Sequence, residues 1–333
     1  MSITIRRRDF LAALGSTALI WPPSTRAQQR PRLRRIGVLM NLPADDPESL
    51  TRIGGFLQGL QELGWADGRN VRIDYRWGAN NPDRYREYAS ELIAFAPDVI
   101  LAFGAEVVRA SQRATTTVPI VFAAANDPVG AGLVESLARP GGNTTGFIRF
   151  EYGTSAKWLE LLKEMAPSLK RVAVIRPATA AAGPAQLAAI QSVAPSHGVE
   201  LTPIGMRSAN EIEGGIAAFA RGLNGGLILV NAGSAVVHRE LVIELAARYR
   251  LPAVYPDPLF VSSGGLMSYG ADTRAQYRAA AGYVDRILKG DMPSDLPVQA
   301  PTKYVLAINL TTAKTLGLTV PPTVFARADE LIE

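Results

Sequence analysis

Short apolar runs and longer amphipathic stretches alternate along most of this chain. Residues 35–40 (RIGVLM) form a near-continuous apolar run, the pattern of a strand covered on both faces. In 48–63, Leu50, Ile53, Phe56, Leu57 and Leu60 recur at helical spacing, and Gly64 supplies a stop. The same rhythm predicts strands at 71–75, 99–103 and 119–123, with helices over 83–95 and 105–114. Turn chemistry interrupts it at Arg139-Pro140-Gly141-Gly142-Asn143. A second series follows, with strands at 171–175, 199–204, 227–230, 253–255 and 265–269. Its helices fall at 157–165, 184–196, 209–221 and 236–249. Residues 273–288 read as a further helix, 304–308 as a late strand and 311–316 as a short helix. Strand–helix alternation of this kind implies parallel sheets with helices on both faces, and two series around a break imply two lobes.

The first 27 residues follow a different order. Arg6, Arg7 and Arg8 precede the apolar run 10–21, and Pro22, Pro23, Ser24, Thr25, Arg26 and Ala27 close it. Basic, apolar and small-residue regions in that sequence are the layout of an export signal. Arg7-Arg8 with Phe10-Leu11 behind them resembles the twin-arginine type, with cleavage expected after Ala27. The apolar run is too short for a membrane-spanning helix, which needs about 20 residues. With no cysteine anywhere in the chain, disulfides, thiolate chemistry and a lipid-bearing cysteine are excluded. The expected product is therefore a freely diffusing periplasmic protein.

Removing that leader changes the charge picture. It holds four of the 35 basic and one of the 30 acidic residues, so the remainder is close to balance and makes no case for a nucleic-acid partner. The two histidines, His197 and His238, have no metal-ligand spacing, and no metal or cofactor is expected. Gly130-Ala131-Gly132 invites a dinucleotide reading, but Glu135 stands where the third glycine belongs, so the run reads as a helix start. Neither a nucleophile elbow nor a phosphate loop is present. Trp65, Tyr75, Trp77 and Tyr85 read mostly as packing residues.

Open α/β sheets bind ligands beyond the carboxyl ends of their strands. That rule selects Asn41-Leu42, Gly104-Ala105, Asn126-Asp127, Arg176-Pro177, Asn231 with Gly233, and Asp272 as candidate binding positions. Asp127 and Asp272 offer negative charge to an ammonium group, although both also suit turns or helix caps. Arg176 would favour a carboxylate or a phosphate. A two-lobed exported chain without a catalytic set fits a binder that closes on its solute.

Several blocks carry a resemblance. They are 35–40 (RIGVLM), 56–65 (FLQGLQELGW), 71–77 (VRIDYRW), 126–134 (NDPVGAGLV), 136–143 (SLARPGGN) with Thr145-Gly146-Phe147, 158–164 (WLELLKE) and 316–322 (LGLTVPP). Together they resemble the bacterial ABC-transporter substrate-binding proteins of the tryptophan/tyrosine-type uptake group, over nearly all of the chain past the leader. The resemblance implies a periplasmic binding protein type I-like fold, two Rossmann-like lobes joined by a hinge with three crossovers. Residues 34–150 plus about 271–296 would form one lobe, and 151–270 plus about 297–333 the other. It implies an amino acid or related carboxylate as ligand, with Asp127 and Asp272 at the acidic positions. Asn41-Leu42, Gly104-Ala105 and Arg176-Pro177 replace the hydroxyl residues that the pattern leads one to expect. The expected partners are a small molecule and an inner-membrane permease, the expected state a monomer without enzymatic activity. A ligand-sensing regulator of related fold and an exported α/β enzyme are the alternatives; the first would need a helix-turn-helix, the second a nucleophile or metal set.

Overall fold

Parallel strands without buried charge form the first sheet: β1 (Arg34–Met40), β2 (Val71–Trp77), β3 (Val99–Phe103), β4 (Ile120–Ala125) and β5 (Thr144–Ile148), in the order β2-β1-β3-β4-β5. The computed structural model describes residues 33–149, 151–178 and 182–333, so the export-signal reading of 1–27 lies outside the described residues. Helices α1 (Pro47–Glu62), α2 (Pro82–Ala94) and α3 (Ala105–Ala114) connect these strands. Asp46 accepts from the Glu48 amide and Asn81 from those of Asp83 and Arg84, each just before a proline at the first helical position. Because β1 is flanked by β2 on one side and β3 on the other, the connections diverge there. The crevice beyond β1 and β3 is this sheet's switch point.

The second half contributes α4 (Gly153–Met165), β6 (Arg171–Arg176), α5 (Ala182–Val193), β7 (Glu200–Gly205), α6 (Ala209–Phe219) and β8 (Gly225–Leu229). There follow α7 (Gly233–Val237), α8 (Arg239–Arg248), β9 (Ala253–Tyr255), α9 (Pro258–Ser262), β10 (Met267–Ala271) and α10 (Thr273–Leu288). The chain ends with β11 (Tyr304–Asn309), α11 (Leu310–Thr315), α12 (Pro322–Phe325) and β12 (Glu330–Ile332). The sheet order is β12-β11-β10-β9-β8-β6-β7, which puts a second switch point between β6 and β8.

Residues 34–333 form one compact unit. The chain passes between sheets after β5, after β10 and between α10 and β11, and the passages lie side by side. Ile148 donates its amide to Gln299, and Asp272 donates its amide to Lys303. Helix α10 leaves the second sheet and packs on α1 and the first. Tyr277, Ala280, Ala281 and Val284 join Ile36, Val38, Phe56 and Leu60 in one core. The approach is close: a Cβ on Gly55 would lie 2.5 Å from the Arg274 carbonyl oxygen, and one on Gly59 2.6 Å from that of Arg278.

Several expectations need correction. The apolar face assigned to 48–63 is rotated, since Leu50 is 62 % and Leu57 37 % exposed. The buried face carries Glu48, Ser49, Arg52, Gly55, Phe56, Gly59 and Leu60, because a neighbouring helix backbone demands small residues there. Gly130-Ala131-Gly132 starts no helix; it lies in turns. The helix expected over 236–249 is divided at His238 into α7 and α8. Strand β11 runs antiparallel to β10, so the second sheet is mixed rather than wholly parallel. Strand β5, helices α9 and α12 and strand β12 were not expected; each is short.

Candidate functional site

The switch point of the first sheet holds an unusual residue for its depth, Arg52, whose exposure is 0 %. It rises from the buried face of α1 toward the carboxyl ends of β1 and β3. Its Nε donates to Glu48 Oε1 at 2.8 Å, one helical turn away, and its Nη1 to Asn41 Oδ1 at 3.3 Å. Its guanidinium carbon stands 3.9 Å from the ring centre of Phe103, the last residue of β3. Its Nη2 is buried and has no hydrogen-bond partner among the described residues. A second buried arginine, Arg149, follows β5 and stands 5.9 Å from the same ring. Arg149 Nη2 donates to Asp257 Oδ2 at 2.7 Å. Asp257 follows β9 and caps α9, accepting the Leu259 amide at 3.0 Å, so this ion pair ties the first crossover to the second lobe. Tyr277 of α10 stacks on Phe103 at 6.0 Å and completes the wall.

Four charged groups therefore share a nearly dry space. Burial pushes the Glu48 carboxyl up and Asp257 adds to that, while Arg52 and Arg149 pull it back; the net direction is up. Burial pulls the Arg149 guanidinium down. Burial also pulls on Arg52, but Glu48, then Tyr277 and Asp257, hold it above its ordinary value. Both guanidiniums stay charged at physiological pH, because their ordinary pKa lies so far above it.

The positions selected from the sequence fall as follows. Asn41 and Leu42 are buried at the end of β1, with Asn41 held by Arg52 and facing Asn80. Gly104 (φ 80°) caps α3 and Ala105 opens it, at the end of β3. Asn126 reaches across between lobes: its Nδ2 donates to the Asn231 carbonyl at 3.3 Å. Asn231 is buried beyond β8 and exchanges two hydrogen bonds with Gln186 of α5, at 2.9 and 3.0 Å. Gly233 opens α7. Arg176 ends β6 and donates to the Pro177 carbonyl at 3.3 Å, leaving its Nε without a partner among the described residues.

The two aspartates are engaged within the fold. Asp127 Oδ1 accepts the Gly130 amide at 2.8 Å, and Oδ2 accepts the Tyr152 hydroxyl at 2.8 Å. A Cβ on Gly130 would overlap that carboxylate, so the Asp-Pro-Val-Gly block is a turn wound around Asp127. Burial and the Asp127 hydrogen bond together push the Tyr152 hydroxyl well above its ordinary pKa. Just upstream, Ala124 takes a left-handed conformation (φ 57°) where β4 and β5 change register, which turns Asn126 and Asp127 out of the strand. Asp272 caps α10 through the Ala275 amide at 2.9 Å and pairs with Lys303 at 2.8 Å, both on crossover segments. It belongs to the hinge, beside a cavity of about 390 Å³ lined by Phe147, Gln276, Tyr283 and Lys303 among others.

Glu48, Arg52, Phe103, Arg149, Gln186 and Asp257 were missed from the sequence. Asp257 carried a usable signal, since Asp-Pro directly after a strand is what singled out Asp127. Arg52 carried none in the apolar pattern, which pointed α1 the wrong way.

A curated tyrosine-binding protein of Clostridioides difficile is 28 % identical over 265 residues, 79 % of this chain and 76 % of that one. A Streptococcus pneumoniae domain solved in complex with L-Trp superposes with a TM-score of 0.82 at 24 % identity, covering 90 % of this chain and 99 % of that one. A ligand-free, open substrate-binding protein from Clostridium difficile superposes with a TM-score of 0.71 at 25 % identity and the same coverage. The model of the ABC transporter substrate binding protein family matches residues 36–332, and the chain belongs to that family.

Proposed function

We propose that this protein is the extracytoplasmic receptor of an ABC importer. It captures an amino acid or a related carboxylate between its lobes and delivers it to a permease in the membrane, without chemical conversion. The observation that carries this reading is that the carboxyl ends of the two sheets face one another, bridged by Asn126 after β4 to Asn231 after β8 and by Arg149 after β5 to Asp257 after β9. Crevices at switch points are where α/β sheets bind small molecules, and two of them facing one another enclose a solute on closure. The amino-acid class is supported by the tyrosine-binding relative at 28 % identity. Asn41, Leu42, Gly104 and Ala105 would contact the ligand from the first lobe with Asn126 and Asp127. Arg176, Asn231 and Gly233 would do so from the second, and Asp272 would sit at the hinge end. The leader-like segment 1–27 supports a periplasmic location and a twin-arginine route, with the mature protein a monomer.

The test is a thermal-shift screen of the chain from residue 28 onward against amino acids, mono- and dicarboxylates and small aromatics. A ligand at 100 times its Kd should add about 2.7 kcal/mol to the folded state and raise Tm by several degrees. Asp127→Ala should weaken any amine-bearing hit. A screen without a single shift, or turnover of any compound in it, would sink the receptor reading.

A further inference from the structure

We infer that Arg52 is the carboxylate-reading residue of the cleft, presenting its unpaired Nη2 to a small monocarboxylate, whether a zwitterionic amino acid or a simple acid. This rests on the proposal that the cleft binds the ligand, and it names the chemical group that is recognised. The orphaned nitrogen is the starting point. Leaving a buried charged donor without an acceptor carries a desolvation penalty, so this nitrogen calls for an acceptor that the described residues do not supply. Arg52 is also pre-positioned: Glu48 and Asn41 fix its other two nitrogens, and Phe103 supports its face. A guanidinium held this way loses little freedom on binding, and its Nη2 is left to donate a charge-assisted hydrogen bond to a carboxylate. Its place beyond β1 and β3 is the first lobe's switch point, and Arg149, 5.9 Å from the same ring, reaches on to the second lobe.

Charge balance decides which anion. Glu48 and Asp257 stand one for one against Arg52 and Arg149, so a dianion would bring two uncompensated charges, a simple monocarboxylate one, and a zwitterion none. A phosphate or a dicarboxylate would bring two charges into a dry space with one free donor nitrogen, at a large desolvation cost. A monocarboxylate needs only the charge-assisted hydrogen bond that Nη2 can give. Arg176, half-buried at the other switch point, is satisfied in part by its neighbour's carbonyl and is the weaker candidate.

The experiment measures Kd by titration calorimetry for amino acids and for aliphatic and aromatic monocarboxylates, each paired with its primary amide, with succinate and inorganic phosphate added. The wild-type protein should bind at least one acid, prefer it to its amide by about 10- to 100-fold, and bind succinate and phosphate more weakly. Arg52→Lys keeps a positive charge for Glu48 but lacks the Nη2 donor, and should bring the acid-to-amide ratio close to one. Should that variant fail to fold, the double change Glu48→Gln with Arg52→Gln removes both charges together and should show the same collapse. Equal binding of acid and amide, or an undiminished ratio in these variants, overturns the role of Arg52 while leaving the receptor reading intact. A phosphate or succinate preference overturns the monocarboxylate assignment. If no acid or amide binds at all, the receptor reading falls with it.

Discussion

Asp127 and Asp272 follow strand ends in the same way, and both carboxylates have work within the fold. Asp127 winds a turn and takes a tyrosine hydroxyl, while Asp272 starts a helix and pairs with Lys303. Such positions are preorganised, which is what a binding residue requires, and their local partners do not prevent a ligand from sharing an oxygen. The hinge pair has a measurable signature. Burial raises the Asp272 pKa, but Lys303 and the amides of Ala275 and Arg274 outweigh it, so the folded value lies below the ordinary 3.8. A depressed carboxyl contributes stability that is present above its unfolded pKa and is lost as pH falls through the folded one. Asp272→Asn, which keeps a good cap, should therefore be less stable than wild type at pH 5–7. The gap should close on acidification below pH 3.8, as read by urea unfolding across pH. A gap that persists unchanged into that acid range would contradict the assignment.

Two glycines five residues apart in α1 test the account of that helix. Gly54 faces open space, and a Cβ there meets nothing within 4 Å. Gly54→Ala should stabilise the protein by about 0.5–1 kcal/mol through helix propensity alone. Gly59 faces α10, where a Cβ would lie 2.6 Å from the Arg278 carbonyl oxygen and 2.8 Å from Ala281 Cβ. Gly59→Ala should cost about 1–3 kcal/mol, since overpacking outweighs the same propensity gain. Denaturant midpoints of the two variants should move in opposite directions; movement in the same direction would mean that α1 and α10 are not packed as described. The same contact explains why the periodicity of 48–63 misled. Leu50 and Leu57 lie on the outer side of the helix, whereas Gly55, Gly59 and Arg52 share the inner side with Phe56 and Leu60. Apolar spacing finds a face that meets side chains, not one that meets another helix's backbone.

In the molecule as a whole, the Arg149–Asp257 pair joins what the chain divides. Removing one member of a buried ion pair strands the other charge, so Arg149→Ala should destabilise by about 3–5 kcal/mol. Replacing both, as in Arg149→Met with Asp257→Leu, should cost much less, because no unpaired charge remains. The two changes share an effect on shape: without the bridge, the ligand-free lobes lose one of their ties, and small-angle scattering should show a larger radius of gyration for both. A wild-type radius in both variants would show that the pair is not what holds the lobes together.

Local chemistry was enough to mark most strands and helices, because fully covered parallel strands and capped helices announce themselves in runs of a few residues. Residues 99–103, 105–114, 253–255 and 273–288 were legible to the residue. The strand-end rule picked out Asn41, Gly104, Asn126 and Asn231, which lie just past the carboxyl ends of β1, β3, β4 and β8, since it needs only the end of each strand and the sense of the sheet. The return of α10 to the first lobe was expected only through the family resemblance, while the reversal of β11 and the burial of Arg52 were beyond any such reading. Each depends on a partner far away in the chain: Gly59 with Arg278, Tyr269 with Leu306, Arg52 with Phe103. An arginine is ordinarily a surface residue, and only packing from three separate segments gives this one the dry, half-satisfied setting in which it can recognise a ligand.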